Sequence, residues 1–265
     1  MGLVVSQKAI KLAISGKGGV GKTTVAALLI RHLAKDGRRV LAVDADPVAS
    51  LGGALGFPDH MSIVPLSEMK DFIFERTGAK PGTLGGFFKM NPRVDDIPER
   101  FAKVHDNVHL MVMGTVDSGG SGCVCPESIL LKNLVQHLLL YQDEALVLDM
   151  EAGVEHLGRA TAGAVDLMLT VVEPGSRSIN AAKMVRKLAA DIGLERVAAV
   201  ANKVRSADDE LAIAKALGDM PLLGSVPFDP AFVEADLAGK LVFQNGIPAQ
   251  LSKVMRGIIA AATAE

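Results

Sequence analysis

The sequence predicts an α/β protein, a mostly parallel sheet of about seven or eight strands with helices on both faces. Two observations predict it. Apolar runs of about five to eight residues alternate with helical patterns of about 12 to 18, the rhythm of βαβ units whose strands are buried on both sides. The first run also passes through a glycine-rich turn straight into the first helix, in KLAISGKGGVGKTTVAALL (residues 11–29).

The elements follow in order. Lys11–Ser15 reads as a buried strand, and the pattern from Val20 runs as a helix that stops at Gly37. RRVLAVDAD (38–46) is the next strand, and Asn107–Gly114 another, before a helix from Pro126 to about Tyr141. Ala145–Met150 and Val165–Val172 are strands, Ile179–Ile192 is a helix, and RVAAVAN (196–202) and PLLGSVP (221–227) are strands. The tail from Pro248 is an amphipathic helix with Leu251, Val254, Met255, Ile258 and Ile259 on one face. It has two cations and no aromatic anchor, so packing on the sheet is preferred to lying on a membrane. Gly and Pro crowd TGAKPGTLGGFF and KMNPRVDDIPER, so 61–106 is expected to be an irregular loop-and-helix insertion in a single domain spanning 1–265.

Composition narrows the function. Lys and Arg number 28 against 30 Asp and Glu, a net charge of −2, which argues against a polyanion-binding surface and so against nucleic acid. One Tyr and no Trp leave no base-stacking platform. No apolar run reaches the roughly 20 residues that span a bilayer, and the start lacks the regions of a signal peptide. Gly2 followed by Ser6 matches a myristoylation pattern, too short to weigh above chance. Two cysteines in so long a chain point to a reducing compartment, and the expected location is the cytoplasm.

GKGGVGKTT (16–24) fits the P-loop pattern G-x-x-x-x-G-K-[ST] through Gly16, Gly21, Lys22 and Thr23, in the strand-loop-helix setting that the pattern requires. Gly16, Gly18, Gly19, Val20 and Gly21 let backbone amides turn toward phosphate oxygens, and the start of the helix at Lys22, Thr23 and Thr24 adds its positive dipole end. Lys22 can reach the β- and γ-phosphates, and the Thr23 hydroxyl can ligate Mg²⁺. The expected ligands are ATP or ADP with Mg²⁺.

Two carboxylates, Asp44 and Asp46, end the second strand, where ligands of parallel sheets bind. Asp44 is a candidate for Mg²⁺ through water and Asp46 for positioning the attacking water; alternatively one of them caps the next helix. Asp149, at the tip of ALVLDM, is the second magnesium carboxylate.

Both thiols fall in GGSGCVCPES (119–128). A Cys123–Cys125 disulfide would close almost no loop. A metal explains the pair better, yet a closed thiolate site wants about four ligands and one chain offers two. Pro126 suits a first helical position, so the helix start favours the thiolate at Cys125.

Lys17 completes K-G-G-x-G-K-[ST], and here the sequence resembles the deviant Walker A ATPases, the superfamily of MinD, ParA and the nitrogenase iron protein. The resemblance implies a SIMIBI-like P-loop NTPase fold and a nucleotide-sandwich homodimer in which Lys17 crosses to the partner's nucleotide. It implies catalysis by Lys17, Lys22 and Asp46. It also implies an adenine contact from Asn202, in the pair Asn202-Lys203, and a base-bordering loop at VPFDP that includes Pro227 and Asp229. With two chains facing each other, two Cys-x-Cys pairs supply four thiolates, which suit tetrahedral Zn²⁺ or square-planar Ni²⁺. Together with GGSGCVCPE, the stretches DMEAGVEHLGR (149–159) and PLSEMKDFIFERTGAKPG (65–82) resemble the CooC family, maturation ATPases for the nickel site of carbon monoxide dehydrogenase. That likeness covers the chain from Lys11 onward. It implies nickel held between protomers, closure driven by ATP, and carbon monoxide dehydrogenase as client. DMEAGVEHLGR is then placed as the switch between nucleotide and metal. Glu151, Glu155 and His156 are further ligand candidates, although Glu155 and His156 fit a helix face better. The alternatives are a maturation ATPase for acetyl-CoA synthase, an iron–sulfur redox protein, or a MinD/ParA-type regulator.

Overall fold

The structure is a computed structural model that describes residues 9–46, 48–79, 89–114, 126–141, 144–154, 157–238, 241–243 and 246–264. Eight strands form one sheet: β1 (Lys11–Ser15), β2 (Val40–Ala45), β3 (Lys103–His105), β4 (Val108–Val112), β5 (Ala145–Met150), β6 (Leu167–Val172), β7 (Val197–Val204) and β8 (Leu222–Pro227). Their order is β3-β4-β2-β5-β1-β6-β7-β8, and every neighbouring pair is parallel except β3 with β4. The expected α/β sheet is therefore present, at the upper of the two strand counts.

The strands alternate strictly between two apolar layers. Leu12 and Ile14 join one core cluster and Ala13 the other; Ala42 joins the first, Leu41 and Val43 the second. This two-sided burial explains why the strands read as continuous apolar runs.

The helices are α1 (Lys22–Lys35), α2 (Leu51–Ala54), α3 (Lys70–Thr77), α4 (Ile97–Phe101), α5 (Pro126–Tyr141), α6 (Arg159–Ala162), α7 (Ser176–Asp191), α8 (Ala207–Leu217), α9 (Pro230–Leu237) and α10 (Ala249–Thr263). α1 and α10 share the first core cluster, while α5 contributes six leucines and valines to the second. Leu251, Met255, Ile258 and Ala262 of α10 are buried, with Val254 and Ile259 packed beside them, so the amphipathic face is spent inside the fold. No described helix is long and apolar enough to cross a membrane.

Several elements escaped the sequence reading. The edge strand β3 is three exposed residues, KVH, with no apolar pattern; it exists only because β4 offers it a partner. Helix α8 starts at Ser206, whose hydroxyl accepts the Asp209 amide at 3.2 Å, followed by three acidic residues in the first turn. Within 61–106, α3 and α4 are knotted by the Phe72–Phe101 ring contact (4.7 Å) and by Arg76, which lies over Phe72 and holds Asp96 at 2.6 Å. Phe72, Ile73, Val94 and Ile97 reach the same cluster as the buried face of α5, so this stretch supports the helix that begins one residue after Cys125 in the sequence.

Candidate functional site

The order of the strands reverses around β1. Chain that leaves β1 goes to one side through β2, and chain that leaves β5 goes to the other through β6. A crevice opens at such a switch point, at the carboxyl ends of the strands. Asp44 of β2 and Asp149 of β5 are register partners and so stand level across it. The glycine-rich turn leaves β1 into the same crevice.

Two glycines are dictated by close approach. A Cβ on Gly16 would lie 2.5 Å from the Val171 carbonyl oxygen, and one on Gly21 would lie 2.2 Å from Asn202 Nδ2. Both residues also have left-side φ angles, 148° and 92°. Lys22 is buried, and its ammonium stands 3.8 Å from an Asp46 oxygen. Val48 donates its amide to Asp46 at 3.1 Å.

Asp44 plays the capping part that was weighed against a magnesium role. Its Oδ2 accepts the amides of Ser50 and Leu51, each at 2.9 Å, at the start of α2, and its Oδ1 accepts the Asp46 amide at 3.3 Å. Burial raises its pKa to about 6 in spite of those amides.

Asp149 is different. It is fully buried, and among the described residues neither carboxylate oxygen has a hydrogen-bond partner. Burial raises it to about 7; the nearby Thr23 hydroxyl, short of hydrogen-bond geometry, pulls it down, and the Asp44 charge pushes it further up. A buried carboxylate without a partner is expensive. Thr23, Asp149 and Asp44 together present hard oxygen donors, a set that fits Mg²⁺, an ion that takes one or two carboxylates and keeps several waters. Among the described residues no cluster of three or more His, Cys, Asp or Glu is arranged to hold a metal. Ser50 Oγ donates to Thr23 Oγ1 at 3.3 Å, so the loop before α2 touches this donor set.

Beside the carboxylates lies a cavity of about 400 Å³ whose lining includes Gly19, Gly21, Lys22, Thr23, Thr24, Asp46, Asn202, Lys203, Pro227, Phe228 and Asp229. The structure thus brings the P-loop residues and the expected base-side residues to one space. Phe228 sits under the Arg205 guanidinium at 5.0 Å. Asp229 caps α9, accepting the Ala231 amide at 2.9 Å.

The family model that matches the chain is the CobQ/CobB/MinD/ParA nucleotide-binding domain, over residues 11–242. The chain belongs to this family. Among its relatives are an uncharacterized ATP-binding protein of Methanocaldococcus jannaschii, 47% identical over 94% of this chain and 98% of the relative, and the carbon monoxide dehydrogenase accessory protein CooC of Rhodospirillum rubrum, 47% identical over 87% of this chain and 88% of that protein. A solved structure of similar fold is the septum site-determining protein MinD of Pyrococcus horikoshii complexed with Mg-ADP, TM-score 0.68, 22% identical, covering 97% of this chain and 98% of that one. The resemblance to deviant Walker A and CooC proteins is thereby upheld.

In this CobQ/CobB/MinD/ParA domain the Asn202-Lys203 pair does something the resemblance did not imply. Asn202 is buried, and its Nδ2 donates to the Val20 carbonyl at 2.8 Å. The Lys203 ammonium donates to the Gly19 carbonyl at 2.5 Å and pairs with Glu173 at 3.0 Å. Both side chains brace the phosphate loop at the edge of the cavity that they help to line. Lys17 is half-buried and, among the described residues, its ammonium has no hydrogen bond or ion pair. Sequence reading missed Ser15, Ser50 and Glu173, and reached Phe228 only as part of the VPFDP loop. Glu173 follows the carboxyl end of β6 directly, the position at which Asp44 and Asp149 had been found, and that rule would have flagged it. Cys123, Cys125, Glu155 and His156 lie outside the described residues.

Proposed function

We propose that this chain is an ATP-hydrolysing nickel metallochaperone. It pairs with a second copy when nucleotide binds, holds the metal through Cys123 and Cys125 of both chains, and supports nickel insertion into carbon monoxide dehydrogenase. The observation that carries the reading is the 47% identity to the carbon monoxide dehydrogenase accessory protein CooC over 87% of this chain. The Cys-x-Cys pair and the orphaned Asp149 oxygens support it.

In this reading residues 1–265 act as one ATPase domain in the cytoplasm. Gly16, Gly18, Gly19, Val20, Gly21, Lys22, Thr23 and Thr24 take the phosphates, and the base lies toward Asn202, Lys203, Pro227 and Asp229. Thr23 and Asp149 hold Mg²⁺, with Asp44 behind them and occupied at α2. The ion neutralises phosphate charge. Asp46 orients water for attack, and Lys17, whose ammonium has no hydrogen bond or ion pair among the described residues, reaches the nucleotide of the other protomer. Four thiolates accept nickel as cargo and take Zn²⁺ as well. Nucleotide and metal affinities are then linked reciprocally.

The test is equilibrium nickel binding with and without ATP, on the wild type and on Cys123→Ala/Cys125→Ala. The expectation is about one nickel per two chains, with affinity set by nucleotide and lost in the variant. Unchanged affinity and stoichiometry in the variant would remove the thiolates from the mechanism.

A further inference from the structure

The phosphate loop is held by two consecutive carbonyls. Lys203 takes the Gly19 carbonyl and Asn202 the Val20 carbonyl. In a trans peptide the C=O and the following N–H point in opposite directions. Fixing the Val20 carbonyl therefore turns the Gly21 amide away from Asn202, while the Val20 amide closes the turn of the loop on the Lys17 carbonyl at 3.4 Å. The two side chains thus hold the turn from Gly19 to Gly21, and with it the entry to α1, in one conformation.

The two braces differ in rigidity. Asn202 is short, buried and pressed against Gly21. Lys203 has a long stem, its side chain is 41% exposed, and its backbone is left-handed at φ 57°. A lysine has much rotamer freedom to lose, and a left-handed non-glycine residue persists only when its surroundings insist on it. Glu173 is the group that fixes its ammonium. Its carboxylate receives the ammonium at 3.0 Å, and its own amide is tied to the hydroxyl of buried Ser178, in the first turn of α7, at 3.0 Å. The end of β6, the start of α7, the end of β7 and the phosphate loop are thus one connected set.

We propose that Glu173 is a positioning residue for nucleotide binding: it holds Lys203 on the Gly19 carbonyl and thereby keeps the turn of the phosphate loop in its binding conformation. This rests on the nucleotide-site reading above and adds a residue to it. Loss of Glu173 has two opposed effects. The loop loses its brace, which weakens binding. The Lys203 charge is also left uncompensated beside an anion site, which strengthens binding. The second effect is between part-exposed groups and is screened by salt, so loss of the brace dominates at physiological ionic strength.

The experiment is calorimetric titration of the full chain with MgADP, at about 0.15 M and about 0.02 M salt. Glu173→Gln and Lys203→Met are each expected to weaken binding about two- to fivefold at the higher salt, with the double variant no weaker than Lys203→Met alone. The deficit of Glu173→Gln is expected to shrink at low salt, a change that a loss of folding would not produce. Nucleotide-free melting temperatures are expected to stay within about 2 °C of wild type. Glu173→Asp keeps the charge and shortens the reach, and is also expected to bind MgADP more weakly; it carries the test if Glu173→Gln does not fold. Wild-type affinity in Glu173→Gln, or losses that add in the double variant, would overturn the proposal. Failure of the wild type to bind MgADP would instead strike the nucleotide-site reading itself.

Discussion

Ser15 and Gly153 hold each other through two hydrogen bonds: the Gly153 amide donates to Ser15 Oγ at 3.0 Å, and that hydroxyl donates back to the Gly153 carbonyl at 2.9 Å. Ser15 is the last residue of β1, directly before the phosphate loop, and Gly153 lies four residues beyond Asp149. The same hydroxyl lies 3.2 Å from the Glu151 carbonyl. The phosphate loop and the segment expected to act as a switch are therefore joined at the root, where a shift in one is felt by the other.

Ser15→Ala would leave a buried amide and carbonyl without partners. The expected cost is about 1–3 kcal/mol, seen as a melting temperature several degrees lower in calorimetry. ATP hydrolysis is expected to fall more than MgADP affinity, because the tie reaches the Asp149 side of the site and not the base side. Equal losses in both would mean that the tie only supports folding.

Asp149 gives the chain a pH signature. Its folded pKa, raised by burial to about 7, exceeds the ordinary aspartate value, so the native state holds a proton over the window from about pH 4 to 7. This group therefore penalises folding progressively as pH rises through that window, with the full penalty above it. Asp44, raised to about 6, acts in the same sense. His32 and His109, pushed down by burial, act in the opposite sense as pH falls. The clean readout is the difference between Asp149→Asn and wild type. The variant is expected to be more stable without nucleotide at pH 8, with the gap closing toward pH 5. Binding of MgADP near pH 6.5 is expected to release protons from the wild type and fewer from the variant, measured by titration calorimetry in buffers of different ionisation heat.

Gly21→Ala places a methyl 2.2 Å from Asn202 Nδ2 in a left-handed backbone. Asn202 would have to leave the Val20 carbonyl, and the Gly21 amide would lose its aim. MgADP affinity is expected to fall by a factor of about 100 or more, the equivalent of roughly two lost charge-assisted hydrogen bonds. Circular dichroism is expected to show the sheet intact. Near-normal affinity would mean that the loop does not use this amide.

Lys17→Ala removes an ammonium that, among the described residues, has no hydrogen bond or ion pair. The monomer is expected to keep its melting temperature and most of its MgADP affinity, and to lose ATP-dependent dimerisation in light scattering. A monomer that loses nucleotide affinity in step with Lys22→Ala would place Lys17 in its own site and not across an interface.

The parts of the fold legible in the sequence are those whose own residues impose them. Leu12, Ala13 and Ile14 announce a strand buried on both faces, and α10 shows its apolar stripe, because burial selects side chains at each position. β3 was not legible, since hydrogen bonding to β4 creates it and its side chains face solvent. The P-loop was legible because Gly16 and Gly21 stand where no side chain fits. For Glu173 the sequence offers its place just past β6, but not its partner: the bond to Lys203 joins residues on two different strand ends, which only packing brings together.

By itself the sequence determined the sheet class, the phosphate loop and the carboxylates at the strand ends, all consequences of local chain chemistry and burial. Only the tertiary structure decided which of those groups are spent and which are free. Asp44 accepts the amides at the start of α2, while among the described residues neither Asp149 oxygen has a hydrogen-bond partner. Asn202 and Lys203 brace the loop because strand order sets β7 one strand beyond β6, close enough for their donors to meet Val20 and Gly19. Hydrogen-bond partners far apart in sequence are chosen by how strands are laid side by side, and that choice is written in the packing of the whole sheet.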